Sequence, residues 1–349
     1  MRARALDNLR NRRNPDGLLK EAYASIQEDD AVRYLVGAMQ PVEDSWTKKS
    51  IEAGDRVSKQ IQSALERRSL GADYRYQGSV TKNTHIKAHS DLDLLVIEKR
   101  FYCLEPPQVA NPVYLGDPIK DLLEIRAVCI TSLRDAYPAA TVDSGGARSV
   151  KISGGSLNRT VDIVPSNWFD TNDYAKYRQE VFRGVHILDA HKPDREADQP
   201  FVHGALIGLK DDKTKGNARR LIRLLKSLKY DSEGDVTISS FDIEALIYAM
   251  PDGDMQKERG QEIPQAHACW LWLKQVEDNQ AVREGLNVPD AKRKIFAAGK
   301  ATLAQLIALR KELETLLYQV NQGLQRSFRK LADARVAWPE ISPARFLQR

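Results

Sequence analysis

The segment Asp91-Leu92-Asp93-Leu94-Leu95-Val96-Ile97 constrains the fold most strongly, because two aspartates introduce a run of apolar residues. Such a run predicts a largely buried β-strand. Side chains alternate across a strand, so both carboxylates point to one face and Leu92 and Leu94 to the other. Two buried carboxylates repel each other unless a cation lies between them. The pattern therefore indicates either an oxygen-ligand site for Mg²⁺ or Mn²⁺, or a solvated strand end with capping aspartates.

A glycine–serine pair precedes this strand. Residues 74–77 alternate as a short strand, and Gly78-Ser79 ends it. A glycine lets the backbone approach a phosphate closely, and a serine hydroxyl can donate to phosphate oxygens. Gly-Ser is also ordinary turn chemistry, so the pair alone predicts a turn and only permits a phosphate-binding role.

Two further strands are expected in the middle of the chain. Residues 148–152 and 159–164 carry alternating apolar side chains, and Gly154-Gly155 lies between them. Glycines at that place predict a tight turn, and the two strands are therefore expected to form a hairpin. Pro165 is expected to end the second strand, because proline lacks the backbone N–H that a sheet requires.

The second of these strands contains a lone aspartate, Asp162, among apolar residues. A buried carboxylate needs a partner. One interpretation is a metal ion that Asp162 shares with Asp91 and Asp93. The other is a salt bridge to an arginine on the paired strand, such as Arg148, and the residues alone leave both open.

Most of the remaining chain shows the three- and four-residue apolar spacing of amphipathic helices. Pro41 divides the first helical stretch. Residues 191–200 are polar and end in proline, which favours a passage between two lobes. We therefore expect one lobe over residues 1–199 and a helical lobe over 200–349. The predicted helices cover residues 18–68, 117–137, 214–230, 240–250, 265–284 and about 290–335.

Composition excludes several classes of protein. The 349 residues suffice for about two domains, no apolar run approaches the roughly 18 residues of a membrane span, and the arginine-rich start has no apolar leader. We expect a cytoplasmic protein without a membrane partner. Cys103, Cys129 and Cys269 fit neither a disulfide framework nor a zinc site. The net charge of +5 allows a polyanionic ligand without requiring one.

Taken together, Gly78-Ser79, Asp91-Leu92-Asp93 and the downstream Asp162 resemble the nucleotidyltransferase superfamily related to DNA polymerase β. The Thr84-x-Ile86 element before the aspartates strengthens the resemblance. It implies an α+β fold in which a polymerase-β-like nucleotidyltransferase lobe, with a mixed sheet and helices, is followed by a C-terminal helical lobe that closes the nucleotide cleft. It also implies two Mg²⁺ ions, with Mn²⁺ as an alternative, held by the three aspartates, while the glycine–serine pair binds phosphate.

Segments 217–229 and 239–246 resemble paired elements of oligoadenylate synthases, cyclic GMP–AMP synthase and their bacterial relatives, the CD-NTases. In that family a Leu-Leu-Lys-x-x-Lys stretch is followed by Ser-aromatic-x-x-Glu-x-Leu, the order found here. The resemblance implies that Lys226 and Ser240 bind the donor triphosphate and that Phe241 stacks on its base. Two ordinary alternatives stay open: Lys226 on a solvated helix face, and Phe241 in the core.

The resemblance implies a Mg-dependent nucleotidyltransferase that joins nucleoside triphosphates, ATP among them, into a cyclic oligonucleotide second messenger. The product would act on a separate effector protein in bacterial anti-phage defence. No zinc ribbon can be built and no long basic surface helix is evident, so we expect no obligatory nucleic-acid activator, and we expect a monomer. Two other functions stay open: addition of nucleotides to RNA 3′ ends, as in poly(A) or CCA enzymes, and an inactive nucleotidyltransferase fold that serves as a binding module.

Overall fold

The structure, a computed structural model, describes residues 30–86, 91–110, 112–258 and 260–337. The part of the predicted first helix at residues 18–29 lies outside the described residues. Within the described ranges, no helix is both long and apolar enough to cross a membrane.

The chain forms two compact units, which we call the sheet unit and the helical unit. Their described parts are residues 41–213 and 287–293 for the sheet unit, and residues 30–40, 214–286 and 294–337 for the helical unit. The division therefore departs from the boundary expected at residue 199.

A mixed sheet, with seven strands among the described residues, forms the centre of the sheet unit. The strands are β1 (Ala72–Gln77), β2 (Leu92–Leu104), β3 (Ala140–Asp143), β4 (Val150–Gly154), β5 (Leu157–Asp170), β6 (Gly184–Asp189) and β7 (Asp194–Asp198). Their order is β1-β2-β5-β4-β3, and β6 pairs with the second half of β5 and with β7. β2 and β5 run parallel, whereas the other pairs are antiparallel. The two longest strands are thus the parallel pair at the centre.

Helices occupy both units. They are α1 (Asp30–Met39), α2 (Asp44–Glu66), α3 (Pro118–Ala136), α4 (Asn172–Tyr177), α5 (Pro200–Lys213), α6 (Asn217–Asp231), α7 (Ser240–Ala249), α8 (Asp252–Met255), α9 (Glu262–Asp278), α10 (Gln280–Gly285) and α11 (Leu303–Ala337). The start of α3 shows how the sequence sets such bounds. Asp117 accepts hydrogen bonds from the N–H groups of Ile119 and Lys120, and Pro118 occupies the first helical position, where no N–H is needed.

One face of the sheet packs against α2 and α3. Strand alternation directs the even-numbered side chains of β2 and the odd-numbered ones of β5 to this face, which forms the main apolar core. Its most buried members are Val57, Ile61, Leu94, Val96, Ile125, Leu133, Val150, Ile152, Val161 and Ile163. The opposite face carries a smaller apolar cluster that includes Leu95 and Val164 and packs against Phe201 of α5. Asp93 and Asp162 belong to this second face by the same alternation.

Helix α2 comes unusually close to the sheet at Gly54. A methyl group on Gly54 would lie 2.5 Å from Leu92 Cδ2 and 2.8 Å from the Tyr76 ring, distances that packed atoms do not adopt. We expect Gly54→Ala to lower the free energy of unfolding by about 1–3 kcal/mol, because the helix must move away from the sheet. Urea denaturation measures the change. Gly253→Ala is the control, because a methyl group there meets nothing within 4 Å, and equal stability of both variants would contradict the close packing.

In the helical unit, α1 packs against α6, α9 and α11. Two polar contacts fix it: Tyr34 donates to Asp231 Oδ2 at 2.9 Å, and Arg223 Nε donates to the Met39 carbonyl at 3.0 Å. Because these contacts join α1 to α6, residues 30–40 belong with the C-terminal helices although they precede the sheet in sequence. Conversely, α5 packs against β6, with Phe201 in the apolar cluster of the sheet. These contacts explain why the boundaries of the two units fall at residues 40 and 213.

The α+β class, the strand at residues 74–77 and the hairpin around Gly154-Gly155 are confirmed. Two other expectations are wrong. β5 continues through Pro165 to Asp170, because β4 pairs with β5 as far as Ile163 and β6 pairs from Ser166 onward, so the proline lies at the changeover. The stretch 191–200 is no linker: it contains β7, which pairs with β6.

Candidate functional site

Four polar side chains stand in one row across four neighbouring strands. Gln77 at the end of β1 pairs with Asp93 of β2, Asp93 pairs with Asp162 of β5, and Asp162 pairs with Lys151 of β4. Paired residues of a sheet point to the same face, so the row lies on the face opposite α2 and α3. The parallel pairing of β2 with β5 therefore brings the two aspartates side by side.

Asp91 joins this row from the residue before β2. Leu92 and Leu94 are about 1% exposed and point into the opposite side of the sheet, whereas Asp91 and Asp93 are both partly accessible. The alternation predicted for residues 91–94 is thus confirmed. It arises because the apolar face of β2 must be buried, which forces the aspartates to the other face.

The Gly78-Ser79 pair forms a tight turn beside Asp93. Gly78 has φ +88°, a conformation that favours glycine, and a methyl group on it would overlap Asp93 Oδ2. The turn is closed by Thr81 Oγ1, which donates to the Gly78 carbonyl at 3.0 Å, and by Thr84 N–H, which donates to the Ser79 carbonyl at 3.0 Å. The glycine therefore permits a close approach between the loop and a carboxylate.

The loop after Ser79 is anchored to α2. His85 is buried, its Nε2 lies 3.0 Å from Thr47 Oγ1, and its ring stacks on Trp46 at 5.7 Å between centroids. Val80, 4% exposed, adds an apolar contact surface. This anchoring holds Ser79 in place next to the aspartates, which is the arrangement that a phosphate-binding turn requires.

Burial and mutual repulsion raise the pKa values of two carboxylates in the row. Burial raises the pKa of Asp93 from its ordinary 3.8 to about 7, and the neighbouring carboxylates of Asp162 and Asp91 act in the same direction. Burial likewise raises the pKa of Asp162 to about 6, and Asp91 adds to the rise. The ammonium group of Lys151 opposes both shifts, and that of Lys82 opposes the shift of Asp93. The three carboxylates are thus close enough to repel one another, and they attract cations.

Lys151 contacts two of the aspartates directly. Its Nζ lies 2.6 Å from Asp91 Oδ2 and 3.8 Å from Asp162 Oδ1. The expected partner of Asp162, Arg148, instead pairs with Glu196. The salt-bridge alternative therefore named the wrong partner residue for Asp162. The cause is register, because Lys151 and not Arg148 stands opposite Asp162 on β4.

The donor set fits a divalent cation. Asp162 Oδ1 and Gln77 Oε1 are buried and accept no hydrogen bond within the described part of the chain, so both have lone pairs available. Carboxylate and amide oxygens are the ligands that Mg²⁺ prefers. In the described ranges no three acidic, histidine or cysteine side chains are already gathered around a single point. Binding of one ion by all three carboxylates would therefore require them to move closer together.

The helical unit holds the other residues singled out in the sequence. Lys226 of α6 is only 3% exposed and lies 3.7 Å from Glu244 Oε1 of α7, which is equally buried. The solvated-face alternative for Lys226 is therefore wrong. Ser240 is the first residue of α7 and is partly exposed, while the preceding Ser239 caps the helix by accepting from Asp242 N–H at 3.0 Å. Phe241 is half-buried and so is not a plain core residue.

Comparison with known proteins identifies the family. A family model described as the cGAS/DncV-like nucleotidyltransferase C-terminal helical domain matches residues 206–318. The cyclic dinucleotide synthase CdnE of Yersinia aleksiciae is 36% identical over 272 residues, which are 77% of this chain and 71% of that relative. The chain belongs to the CD-NTases. It is therefore a nucleotidyltransferase, and the resemblance found in the sequence is confirmed.

Two further CD-NTases are similar over most of their length. A c-di-GMP synthase of a Lachnospiraceae bacterium is 32% identical over 279 residues, 71% of this chain and 79% of that protein. The solved structure of a STING-associated CdnE c-di-GMP synthase from Capnocytophaga granulosa has a TM-score of 0.74 at 27% identity, with 92% of this chain and 98% of that chain covered. The predicted polymerase-β-like lobe with a C-terminal helical lobe is confirmed as the fold, and the predicted membership in a family of cyclic oligonucleotide synthases is confirmed with it.

The sequence reasoning missed several residues of this CD-NTase site. Lys151 and Gln77 were not singled out, although both lie on predicted strands, and Lys82 lies in the loop after Ser79. The predicted hairpin indicated that β4 lies beside Asp162, but a register irregularity in this hairpin decides which β4 residue stands opposite it. Glu244 was part of the quoted family motif, but its pairing with the buried Lys226 is visible only in the structure. Cys103, Cys129 and Cys269 form no disulfide in the structure.

The raised pKa of Asp93 gives a stability prediction for the metal-free CD-NTase. The folded protein binds this proton more tightly than the unfolded chain, so the free energy of unfolding falls as pH rises from about 4 to about 7. In EDTA at pH 8 we expect Asp93→Asn to be more stable than the wild type by up to about 4 kcal/mol, since the pKa is raised by about three units and each unit corresponds to about 1.4 kcal/mol. The gain should vanish towards pH 4 in urea denaturation. Exposed Asp194→Asn is the control, and a less stable Asp93→Asn at pH 8 would contradict the assignment.

Proposed function

We propose that this CD-NTase joins two nucleoside triphosphates into a cyclic dinucleotide, and that Asp91, Asp93 and Asp162 hold the catalytic Mg²⁺ ions. One observation carries the proposal: Asp93 and Asp162 stand in register on parallel strands, with Asp91 two residues away and the Gly78-Ser79 turn against them. Two divalent ions are expected, and Mn²⁺ can replace Mg²⁺ at oxygen ligands of this kind. When bound, the ions supply Lewis-acid activation of the attacking hydroxyl and neutralise charge on the leaving pyrophosphate.

The residues of the sheet unit would hold and orient the donor. The Ser79 hydroxyl and the amides of its turn are suited to bind phosphate oxygens, and Gly78 allows this turn to lie against Asp93. The three carboxylates would hold the ions that offset the charge of the triphosphate, and together with the Ser79 turn they would orient the donor towards the acceptor hydroxyl. Much of the rate enhancement in such transfers comes from this positioning.

The helical unit would contribute further nucleotide contacts. By its likeness to the family motif, Lys226 is proposed to bind the donor triphosphate together with Ser240, and Phe241 to stack on the base. The Glu244 carboxylate, 3.7 Å from the Lys226 ammonium, is available to orient that side chain. A partly exposed aromatic side chain is suited to stacking, which contributes roughly 1–3 kcal/mol on unpaired bases.

The reaction consists of two successive nucleotidyl transfers, each of which releases one pyrophosphate. A ribose hydroxyl of one nucleotide attacks the α-phosphorus of the other, the bond to pyrophosphate breaks, and the hydroxyl proton leaves to solvent. The linear intermediate keeps one triphosphate, and its own free hydroxyl then attacks that α-phosphorus and releases the second pyrophosphate. The second step is intramolecular, so its effective molarity favours ring closure over capture of another acceptor.

The relatives suggest which substrates to test first. The Lachnospiraceae and Capnocytophaga proteins are named c-di-GMP synthases, so GTP is the first candidate, and ATP stays a predicted substrate. We further propose that the product acts on a separate effector protein in anti-phage defence, and that the enzyme works as a cytoplasmic monomer without a nucleic-acid activator.

The test is incubation of the purified enzyme with Mg²⁺ and the four nucleoside triphosphates, each labelled in turn at the α-phosphate. A cyclic dinucleotide has no terminal phosphate, so alkaline phosphatase leaves the labelled product intact and mass spectrometry gives its bases. Parallel reactions with an RNA primer, with double-stranded DNA and without nucleic acid separate the alternatives.

Three results would overturn the proposal. A ladder of phosphatase-sensitive products on the RNA primer would identify an RNA-tailing enzyme. No labelled product with any nucleotide, from protein that binds nucleotides, would identify a binding module. Product only in the presence of DNA would disprove independence from a nucleic-acid activator.

A further inference from the structure

Lys151 forms ion pairs with two of the proposed metal ligands. Within the described part of the structure, it pairs with no other acidic side chain. It donates to Asp91 at 2.6 Å and faces Asp162 at 3.8 Å. Its register partner on β5 is Asp162, which in turn is the register partner of Asp93. One ammonium group therefore spans two of the three carboxylates, and a divalent ion would use the same oxygens.

The surroundings show that Lys151 can leave this position. Its side chain is 43% exposed and sits on a flexible four-carbon stem. Asp91 is 38% exposed, so the contact is solvent-accessible, and an ion pair of this kind contributes little free energy. Displacing the ammonium group requires rotation of the lysine side chain alone, while β4 keeps its pairing with β5.

We propose that Lys151 is a built-in counter-cation: it neutralises Asp91 and Asp162 in the metal-free enzyme, and the incoming divalent ion displaces it. The inference rests on the proposed function, because it requires that the three aspartates bind the metal. Two cations cannot occupy the same carboxylate lone pairs, and a lysine close to the ion repels it. Lys151 therefore lowers the affinity of the free enzyme for metal and reduces the repulsion among carboxylates before metal binds.

The experiment measures Mn²⁺ binding to full-length protein without nucleotide at pH 8, by the loss of the free-ion electron paramagnetic resonance signal. Lys151→Met removes the charge and keeps much of the stem, and Lys151→Arg keeps the charge. Lys99→Met is the matched control, because Lys99 pairs with Asp73 at 3.4 Å on the same sheet but away from the three aspartates. We expect Lys151→Met to bind Mn²⁺ about threefold more tightly or better, and the other two variants to bind as the wild type does.

Thermal unfolding gives a second readout that does not depend on catalysis. In EDTA we expect Lys151→Met to unfold at a lower temperature than the wild type, because Asp91 and Asp162 then lose the positive charge of Lys151. In saturating Mn²⁺ the difference should disappear. If Lys151→Met does not fold in EDTA, Lys151→Gln, whose amide can still donate to Asp91, is measured in its place.

The two possible failures are distinguishable. Unchanged or weaker Mn²⁺ binding by both uncharged variants, Lys151→Met and Lys151→Gln, would overturn the counter-cation role. Lys151 would then have a structural role only. If Asp93→Ala binds Mn²⁺ as tightly as the wild type, the metal site itself is wrong, and the proposed function fails with it. A destabilisation of Lys151→Met that persists in saturating Mn²⁺ would also count against displacement.

Discussion

Asp93→Ala should abolish cyclic product formation while the protein stays folded, and Asp91→Ala should do the same. Each tenfold loss in rate corresponds to a rise of about 1.4 kcal/mol in the activation barrier. Without bound metal the transition state loses several kcal/mol of stabilisation, so we expect turnover to fall by roughly 10³-fold or more. The fold should survive because Asp93 lies on the face away from the main core, and removing it deletes no packed apolar volume. Quantified product by mass spectrometry, with a thermal melt of the same sample, measures both effects.

The control for this experiment is Asp194→Ala, which removes an exposed carboxylate from β7 of the same sheet. Its turnover should equal that of the wild type. Product formation by Asp93→Ala within about tenfold of the wild type would contradict the assignment of Asp93 as a metal ligand. An unfolded Asp93→Ala would be uninformative alone, and Asp93→Asn, for which we expect higher metal-free stability, then provides the same test.

Gly78→Ala should also lower the activity strongly, for a steric reason. The added methyl group would overlap Asp93 Oδ2, so either the turn or the carboxylate must move. A displacement of about 1 Å in a positioned catalytic group can lower the rate about 100-fold. We expect turnover to fall by about that factor, with a loss of Mn²⁺ affinity in the same protein.

Gly154→Ala is the matched control for the Gly78 experiment. Gly154 has φ +80°, close to the +88° of Gly78, but a methyl group on it meets nothing within 4 Å. Both variants therefore place an alanine at a similar positive φ, and only one collides with a carboxylate. If both lose activity equally, strain in the turn and not the approach to Asp93 explains the effect.

The parts of the fold that the sequence predicted well are those where one physical requirement dominates. Residues 91–94 alternate because Leu92 and Leu94 are buried on one face of β2, and residues 118–136 carry a capping aspartate and a first-turn proline. Pro165 misled the prediction because proline is tolerated where a strand changes neighbours. That change of neighbour depends on β6, which lies about twenty residues later in the sequence. The residues around Pro165 therefore give no sign of it.

Lys151 shows why the candidate site could be predicted only in part. Gly154 pairs with Leu157, but Ile152 pairs with Val161, so β5 carries two more residues than β4 over this step. Counting from the turn without this irregularity would place Ser149 opposite Asp162. The irregularity moves Lys151 into that position, and it follows from the packing of the whole sheet. The burial of Lys226 against Glu244 is likewise a tertiary feature, which a helical pattern of lysines cannot distinguish from a solvated face.

The parallel pairing of β2 with β5 also has a consequence for biosynthesis. Asp93 and Asp162 are separated by 69 positions along the chain and meet only when this pair forms. Contacts between such distant segments form after the cost of closing a long loop has been met. A nascent chain on the ribosome therefore cannot assemble the three carboxylates until β5 has emerged and docked. On the proposed function, a chain that lacks β5 cannot make the cyclic nucleotide, and any metal bound by the three aspartates stabilises only chains that have completed this long-range pairing.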